Sequence, residues 1–189
     1  MAGRLGVDPR GRAASAEGHK DARLPLGVAV RGGAGMEVRR GVGQDHAGCL
    51  TIIAASPQYF HPTVLSQVAR DLAGDSLFVA REGTSVVGFC TVRDRGGGVC
   101  EITWLAVFPP RRGLGFGGQL LRHVERESAA TGAALLTVKT LAPTAPDLGY
   151  ARTRRFYERA GFRLVEIIDP YPGWEPGSPC AIYVKPLGA

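Results

Sequence analysis

With 189 residues and 20.0 kDa the chain has room for one domain with a proper core, not two. Its hydrophobic content of 44% and charged content of 21% are ordinary for a globular protein, and no apolar stretch reaches ~18 residues, so no membrane-spanning helix is expected. Six Lys/Arg against three Asp/Glu place half of the +6 net charge in residues 1–35. The remaining body is only mildly basic, without the dense stripe of a duplex-binding domain.

Residues 1–35 contain eight glycines and no aromatic residue. Such a segment buries too little apolar surface to offset its ordering entropy and is expected to be a disordered extension preceding a domain over 36–189. It also lacks the apolar core of a secretion signal, so a cytoplasmic protein is expected. Glu37 to Arg40 reads as a short strand. Asp45 is placed to cap an apolar-periodic helix running to about Ala55, and a second helix is expected over His61 to Ala73, with Val64, Leu65, Val68 and Leu72 at helical spacing.

Ser76–Arg81 and Ser85–Arg93 are β-rich runs joined by Glu82-Gly83-Thr84, a hairpin signature, and Val99–Phe108 is a third, ended by Pro109-Pro110. Gly117–Thr131 reads as a helix stopped by Gly132, Ala134–Lys139 as a buried strand, and Tyr150–Ala160 as a helix stopped by Gly161. Phe162–Ile167 and Cys180–Lys185 close the chain as strands. The order βααβββαβαββ implies a mixed, mostly antiparallel sheet flanked by helices in a single α/β domain. The connection Asp169–Pro179 is long and rich in Pro, Gly and aromatics, the composition of a functional loop.

Four cysteines, Cys49, Cys90, Cys100 and Cys180, show no metal-ligand spacing and read as buried reduced thiols. His46, His61 and His123 likewise have no ligand partners at spacing, and no metal is expected.

The chemistry concentrates after the third β-rich run. Arg112, Gly113, Leu114, Gly115, Phe116, Gly117 and Gly118 form a glycine-rich loop between a strand and a helix. Missing Cβ atoms let consecutive backbone N–H groups converge on one anion, and the helix N-terminus behind them adds about half a positive charge. Arg111 and Arg112 are expected to add full charges at its mouth. Gly113, Gly115 and Gly118 also fit the dinucleotide pattern G-x-G-x-x-G, but that fold wants an acid about 20 residues on, where this chain has Thr137-Val138-Lys139-Thr140.

Arg112, Gly115 and Gly117, following Leu105-Ala106-Val107 and a proline, instead form R-x-x-G-x-G, and a second block reads Arg155-Phe-Tyr-Glu-Arg-Ala-Gly-Phe162. Together they resemble the GNAT acyltransferase superfamily over about residues 36–187. The resemblance implies that the loop cradles the pyrophosphate of acetyl-CoA, the acyl donor, and that a backbone N–H of Leu105–Val107 polarises the thioester carbonyl. Where the family often carries Asn-x-x-Ala ahead of the motif tyrosine, this chain has Tyr150 and Thr153, so Tyr150 is expected to pack beside the pantetheine arm in place of the Asn.

Transfer to an amine calls for a base and for a proton on the departing thiolate. Glu101, in Glu-Ile-Thr-Trp-Leu-Ala-Val107, is the candidate base, on the pattern of the superfamily's histone-acetylating branch. Simple strand alternation puts it on one face with Thr103, Leu105 and Val107. Tyr157 is the candidate acid by resemblance, although Thr153, Phe156, Tyr157 and Ala160 also form a stripe of the kind that packs a core.

The expected activity is N-acetyl transfer to a small-molecule or peptide amine, and assembly into an oligomer is compatible with the sequence. A silent acyl-CoA-binding domain is the alternative; it would keep the glycine loop and lose the base. A nucleic-acid-binding protein using Arg152, Arg154, Arg155 and Arg159 fits less well, because no stacking aromatics are interleaved and the arginines read as a solvated helix face.

Overall fold

The computed structural model describes residues 36–60 and 64–188. The expected disordered extension over 1–35 and the start of the second helix at His61 lie outside the described residues. The elements are β1 (Met36–Arg40), α1 (His46–Ala54), α2 (Leu65–Gly74), β2 (Ser76–Glu82), β3 (Ser85–Asp94), β4 (Val99–Val107), α3 (Phe116–Ala130), β5 (Leu135–Leu141), α4 (Leu148–Arg159), β6 (Arg163–Ile168) and β7 (Cys180–Pro186). They form one seven-stranded sheet in the order β1-β2-β3-β4-β5-β7-β6. Every neighbouring pair is antiparallel except β4–β5.

The parallel pair follows from what lies between its strands. Pro109 and Pro110 end β4 in a turn of 3-10 helix. Helix α3 then runs back along the sheet and buries Phe116, Leu120, Leu121 and Val124, one face at helical spacing. It stops at Gly132, whose φ of +87° only glycine adopts readily, with the Ala133 N–H returning to Ser128 O. The chain therefore re-enters the sheet beside β4 and in the same direction.

The two faces of the sheet carry separate cores. Cys49, Ile52 and Ile53 of α1 and Val68 and Leu72 of α2 pack with Phe89, Trp104 and Ala106 on one face. Leu120, Val124 and Tyr157 pack with Cys90, Ile102, Val138 and Tyr183 on the other. Asp45 does not cap α1 as expected. Its carboxylate turns back to the Val42 N–H at 2.9 Å and the Arg39 guanidinium at 2.8 Å, and the Arg39 hydrogen bond holds it below the usual carboxylate range.

One irregularity reorients the strand that carries the chemistry. Thr91 pairs with Trp104 while Val92 pairs with Ile102, so Thr103 is an extra residue, a β-bulge in β4. Simple alternation is thereby broken. Leu105 and Val107 lie against the α3–α4 core with Ile102. Glu101, opposite Arg93, shares the α2 face with Thr103, Trp104 and Ala106.

Candidate active site

The loop after β4 has the backbone its glycines imply. Gly113 (φ +79°) and Gly115 (φ +90°) occupy the left-handed region, and Gly115 sits at the N-terminus of α3. Among the described residues, the N–H groups of residues 113–118 donate to no backbone acceptor; the next, Gln119, returns to Gly115 O at 3.0 Å. A run of free donors at a helix N-terminus is an anion-binding nest. Gly113, Gly115, Gly117 and Gly118 line the adjoining cleft, whereas Leu114 projects into solvent and the Phe116 ring is buried in the core. These two residues offer the loop their backbone only.

Arg111 and Arg112 both line the cleft beside the loop, and each has a partner within the protein. Arg111 pairs with Glu82 at 2.6 Å. Arg112 donates through Nε to Val107 O (3.0 Å) and through Nη2 to Ser56 Oγ (2.6 Å), and it lies over the Tyr59 ring. It thus fastens the chain after α1 to the end of β4. A further charge beside the first turn of α3 is Arg122, whose guanidinium would stand 3.4 Å from a Cβ on Gly118. The sequence signal for it was the four-residue spacing from Gly118, which places the two on one helix face.

The cleft itself exists because β4 and β5 separate. They pair from Val99–Leu135 to Ile102–Val138 and no further. Beyond that point a cavity of about 640 Å³ opens between Thr103–Val107 and Lys139–Thr140, with the glycine loop at one end and α4 along one side. Phe108 donates its N–H to Val87 O on β3, so by antiparallel alternation the N–H groups of Leu105 and Val107 turn the other way, towards the cleft.

Two tyrosines of α4 border the cleft. Tyr157 is buried, and burial raises its phenol pKa well above the ordinary value. Tyr150 hydrogen-bonds through its hydroxyl to Tyr59 O at 3.3 Å, sets its ring edge-on to Tyr59, and donates its N–H to the capping Asp147. It closes the cleft against the chain after α1. The arginines of α4 do not form one solvated face, because Arg154 is buried and donates to Leu141 O at 2.8 Å.

Glu101 is buried and held on both sides: Arg95 Nε reaches one carboxylate oxygen at 2.6 Å, and Lys139 Nζ reaches both, at 3.0 and 3.2 Å. It stands one layer behind the cleft wall, which Lys139 and Thr103 form. Burial pulls the Lys139 pKa down, but the Tyr171 phenol and the Glu101 charge outweigh it and carry the ammonium above its ordinary value. The loop over residues 169–179 thus bears on the same group, with the Tyr171 ring 5.6 Å from Lys139 Nζ and Trp174 packed behind it.

Beside Glu101, on the α2 side, Asp71 accepts from Trp104 Nε1 (2.8 Å), Gln67 (2.8 Å) and Arg93 (2.8 Å), and Asp75 accepts from Arg93 (2.7 Å) and Thr103 (2.7 Å). This network fixes the bulge. Asp71→Ala strands the buried indole N–H and removes one of the carboxylates that hold Arg93, and should cost about 2 kcal/mol in denaturant unfolding.

The four cysteines are buried with no disulfide among them, and none lines the cleft. Burial pushes Cys180 up to about 12 and Cys49 up to about 12, so neither carries a thiolate at neutral pH. Among the described residues no cluster of His, Cys, Asp and Glu has the arrangement of a metal site, and no helix is long and apolar enough to cross a membrane.

Residues 73–164 match the family model of the acetyltransferase (GNAT) domain. Among solved structures, a protein of Desulfovibrio desulfuricans assigned to the GNAT acetyltransferase family is 25% identical, with a TM-score of 0.72 over 82% of this chain and 100% of that one. The ribosomal-protein-S18-alanine N-acetyltransferase of Escherichia coli has the same fold at 18% identity, with a TM-score of 0.65 over 82% of this chain and 95% of its own. An aminoglycoside 6'-N-acetyltransferase complexed with coenzyme A does so at 17% identity, with a TM-score of 0.64 over 81% and 98%. No curated protein matches the chain. The glycine nest at the start of α3, the parted β4 and β5, and these matches agree: the chain carries a GNAT acetyltransferase domain.

Proposed function

We propose that the protein transfers an acetyl group from acetyl-CoA to a primary amine by direct attack in a ternary complex. The observation that carries this reading is the parting of β4 and β5 beside an anion nest. The nest suits a diphosphate, and the cleft leading from it suits an extended arm that ends near Tyr157. The acceptor is a small-molecule or peptide amine entering from the side of the chain after α1 and of loop 169–179, in the cytoplasm.

In the proposed reaction the amine nitrogen attacks the thioester carbonyl, forming the C–N bond as the C–S bond breaks. The N–H groups of Leu105 and Val107 polarise the carbonyl oxygen, and Tyr157 protonates the departing thiolate. Glu101 receives the amine proton, which requires Lys139 to move aside or a water to bridge the layer between them. Direct attack is favoured over a covalent enzyme intermediate because no cysteine lines the cleft.

A thiol-release assay with acetyl-CoA and a panel of polyamines, aminoglycosides, amino acids and peptides tests the reading. No release with any amine, together with calorimetric CoA binding, would favour a silent acyl-CoA-binding domain. Once an acceptor is known, Tyr157→Phe should lower the transfer rate by about 10²-fold with CoA affinity unchanged. Because burial keeps the phenol protonated, the wild-type rate should show no loss from this group below pH ~10.

A further inference from the structure

Lys139 stands at the end of the cleft remote from the glycine loop. It lies one residue past Val138, the last partner of β4, and so level with Thr103. The loop begins beyond Val107, four residues and roughly 13 Å further along β4. The bonds of Lys139 to Glu101 set it on the α2 face of the sheet, away from Tyr157 and α4. Its side chain keeps 20% of its surface exposed, so a molecule in the cleft can touch it.

The charge on the cleft surface has one sign. Arg111, Arg112, Lys139 and Arg152 line it, and none of the described lining residues is Asp or Glu. Arg111 is matched by Glu82, but Val107 O and Ser56 Oγ, which hold Arg112, are uncharged. Behind the wall, Asp71 and Asp75 are taken up by Arg93, Trp104 and Thr103, and Asp169 and Glu175 are exposed residues outside the cleft lining. A polyamine or an aminoglycoside, with several ammonium groups, would meet cations here and no acid.

The bonds around Glu101 provide for an anion. Arg95 holds Oε2 at 2.6 Å, whereas Oε1 has Lys139 as its one partner among the described residues. When Lys139 turns to a second carboxylate, Glu101 keeps Arg95 and Oε1 comes free. Burial works against the Lys139 charge, but Tyr171 and Glu101 outweigh it, so the group is an ammonium at neutral pH. Resting on the reading of the cleft as an acetyltransferase site, we propose that the acceptor is a free α-amino acid whose carboxylate takes Lys139 over from Glu101. A single carbon separates the amine and the carboxylate of such an acceptor, which suits two protein groups that touch at 3.0 Å. The exchange costs Lys139 no ion pair, and it bares the base only when an acceptor of the right charge is in place. The amine then gives its proton to Glu101 Oε1 as its nitrogen forms the C–N bond, and the thiolate leaves with the proton of Tyr157.

Thiol release by the full chain with acetyl-CoA and the proteinogenic L-amino acids, their carboxamides, spermidine and kanamycin tests this. The best amino acid should exceed its own amide in kcat/KM about tenfold or more, the worth of one charge-assisted bond, with spermidine and kanamycin behind both. The amine of the amide is the less basic, so more of it is free at neutral pH and the comparison is weighted against this result. Lys139→Met should lower kcat/KM for the amino acid about tenfold or more and bring the acid-to-amide ratio close to one, while Lys139→Arg keeps the preference. If methionine is not tolerated beside Glu101, Lys139→Gln removes the same charge, still donates to Glu101 and should show the same collapse of the ratio. A lysine that only braces β4 against β5 would lower both rates together and leave the ratio unchanged. An unchanged ratio in the variants overturns the proposal, as do amides, spermidine or kanamycin acetylated as well as the acids. Thiol release with no amine at all would overturn the acetyltransferase reading itself, and the proposal with it.

Discussion

Glu101→Gln should lower the rate constant of acetyl transfer by roughly 10²–10⁴, the usual worth of a positioned base. Glutamine keeps the shape and can still accept from Arg95 and Lys139, but it cannot take up the amine proton. CoA affinity should hardly change, because Glu101 lies on the α2 face behind the cleft and away from the glycine loop. The residual rate should climb with pH towards the amine's own pKa of about 10, as free amine becomes available without help. A glutamate present only to anchor Arg95 and Lys139 predicts something different: a lower melting temperature, a rate near wild type and an unchanged pH profile. Single-turnover transfer at two pH values, read beside thermal melts, separates the two outcomes. A wild-type rate would assign deprotonation to water or to the substrate and leave the family and fold as they stand.

The second large effect is expected at Gly117. A Cβ there would sit 3.5 Å from the Phe156 ring and 3.6 Å from Val107, ordinary contact distances, so the fold can accept it. Gly117 is helical, and valine in place of glycine gains a few tenths of a kcal/mol in helix propensity. The γ-methyl groups, however, would stand at the mouth of the cleft, between the nest and the channel. Gly117→Val should therefore weaken acetyl-CoA binding tenfold or more, at least 1.4 kcal/mol, with melting temperature preserved. Unchanged binding by calorimetry would remove the loop from the cofactor site. Gly115 is the poorer probe, since at φ +90° any side chain adds backbone strain and confounds binding with folding.

The element order was legible in the sequence because several boundaries carry a local cause. Gly132 and Gly161 stop helices through their left-handed backbone, Pro109 and Pro110 end β4, and Gly83 closes a hairpin. The glycine loop was legible for the same reason, since its conformation is set by residues that are neighbours in sequence. The orientation of Glu101 was not. Alternation counts residues, and the extra residue at Thr103 is held by Asp75 just after α2 and Thr91 from β3, partners 28 and 12 residues away. The roles of the arginines followed the same division. That positive charge gathers near the loop is written in the composition, but Arg111 is paired with Glu82, Arg112 is tied to Ser56, and Arg122 stands over Gly118. Side chains of that length choose among partners that only chain packing brings within reach. The parting of β4 from β5 is likewise a product of tertiary structure. A strand's sequence sets which faces it buries, whereas the point at which it leaves its neighbour depends on how β7 and α4 hold its other side.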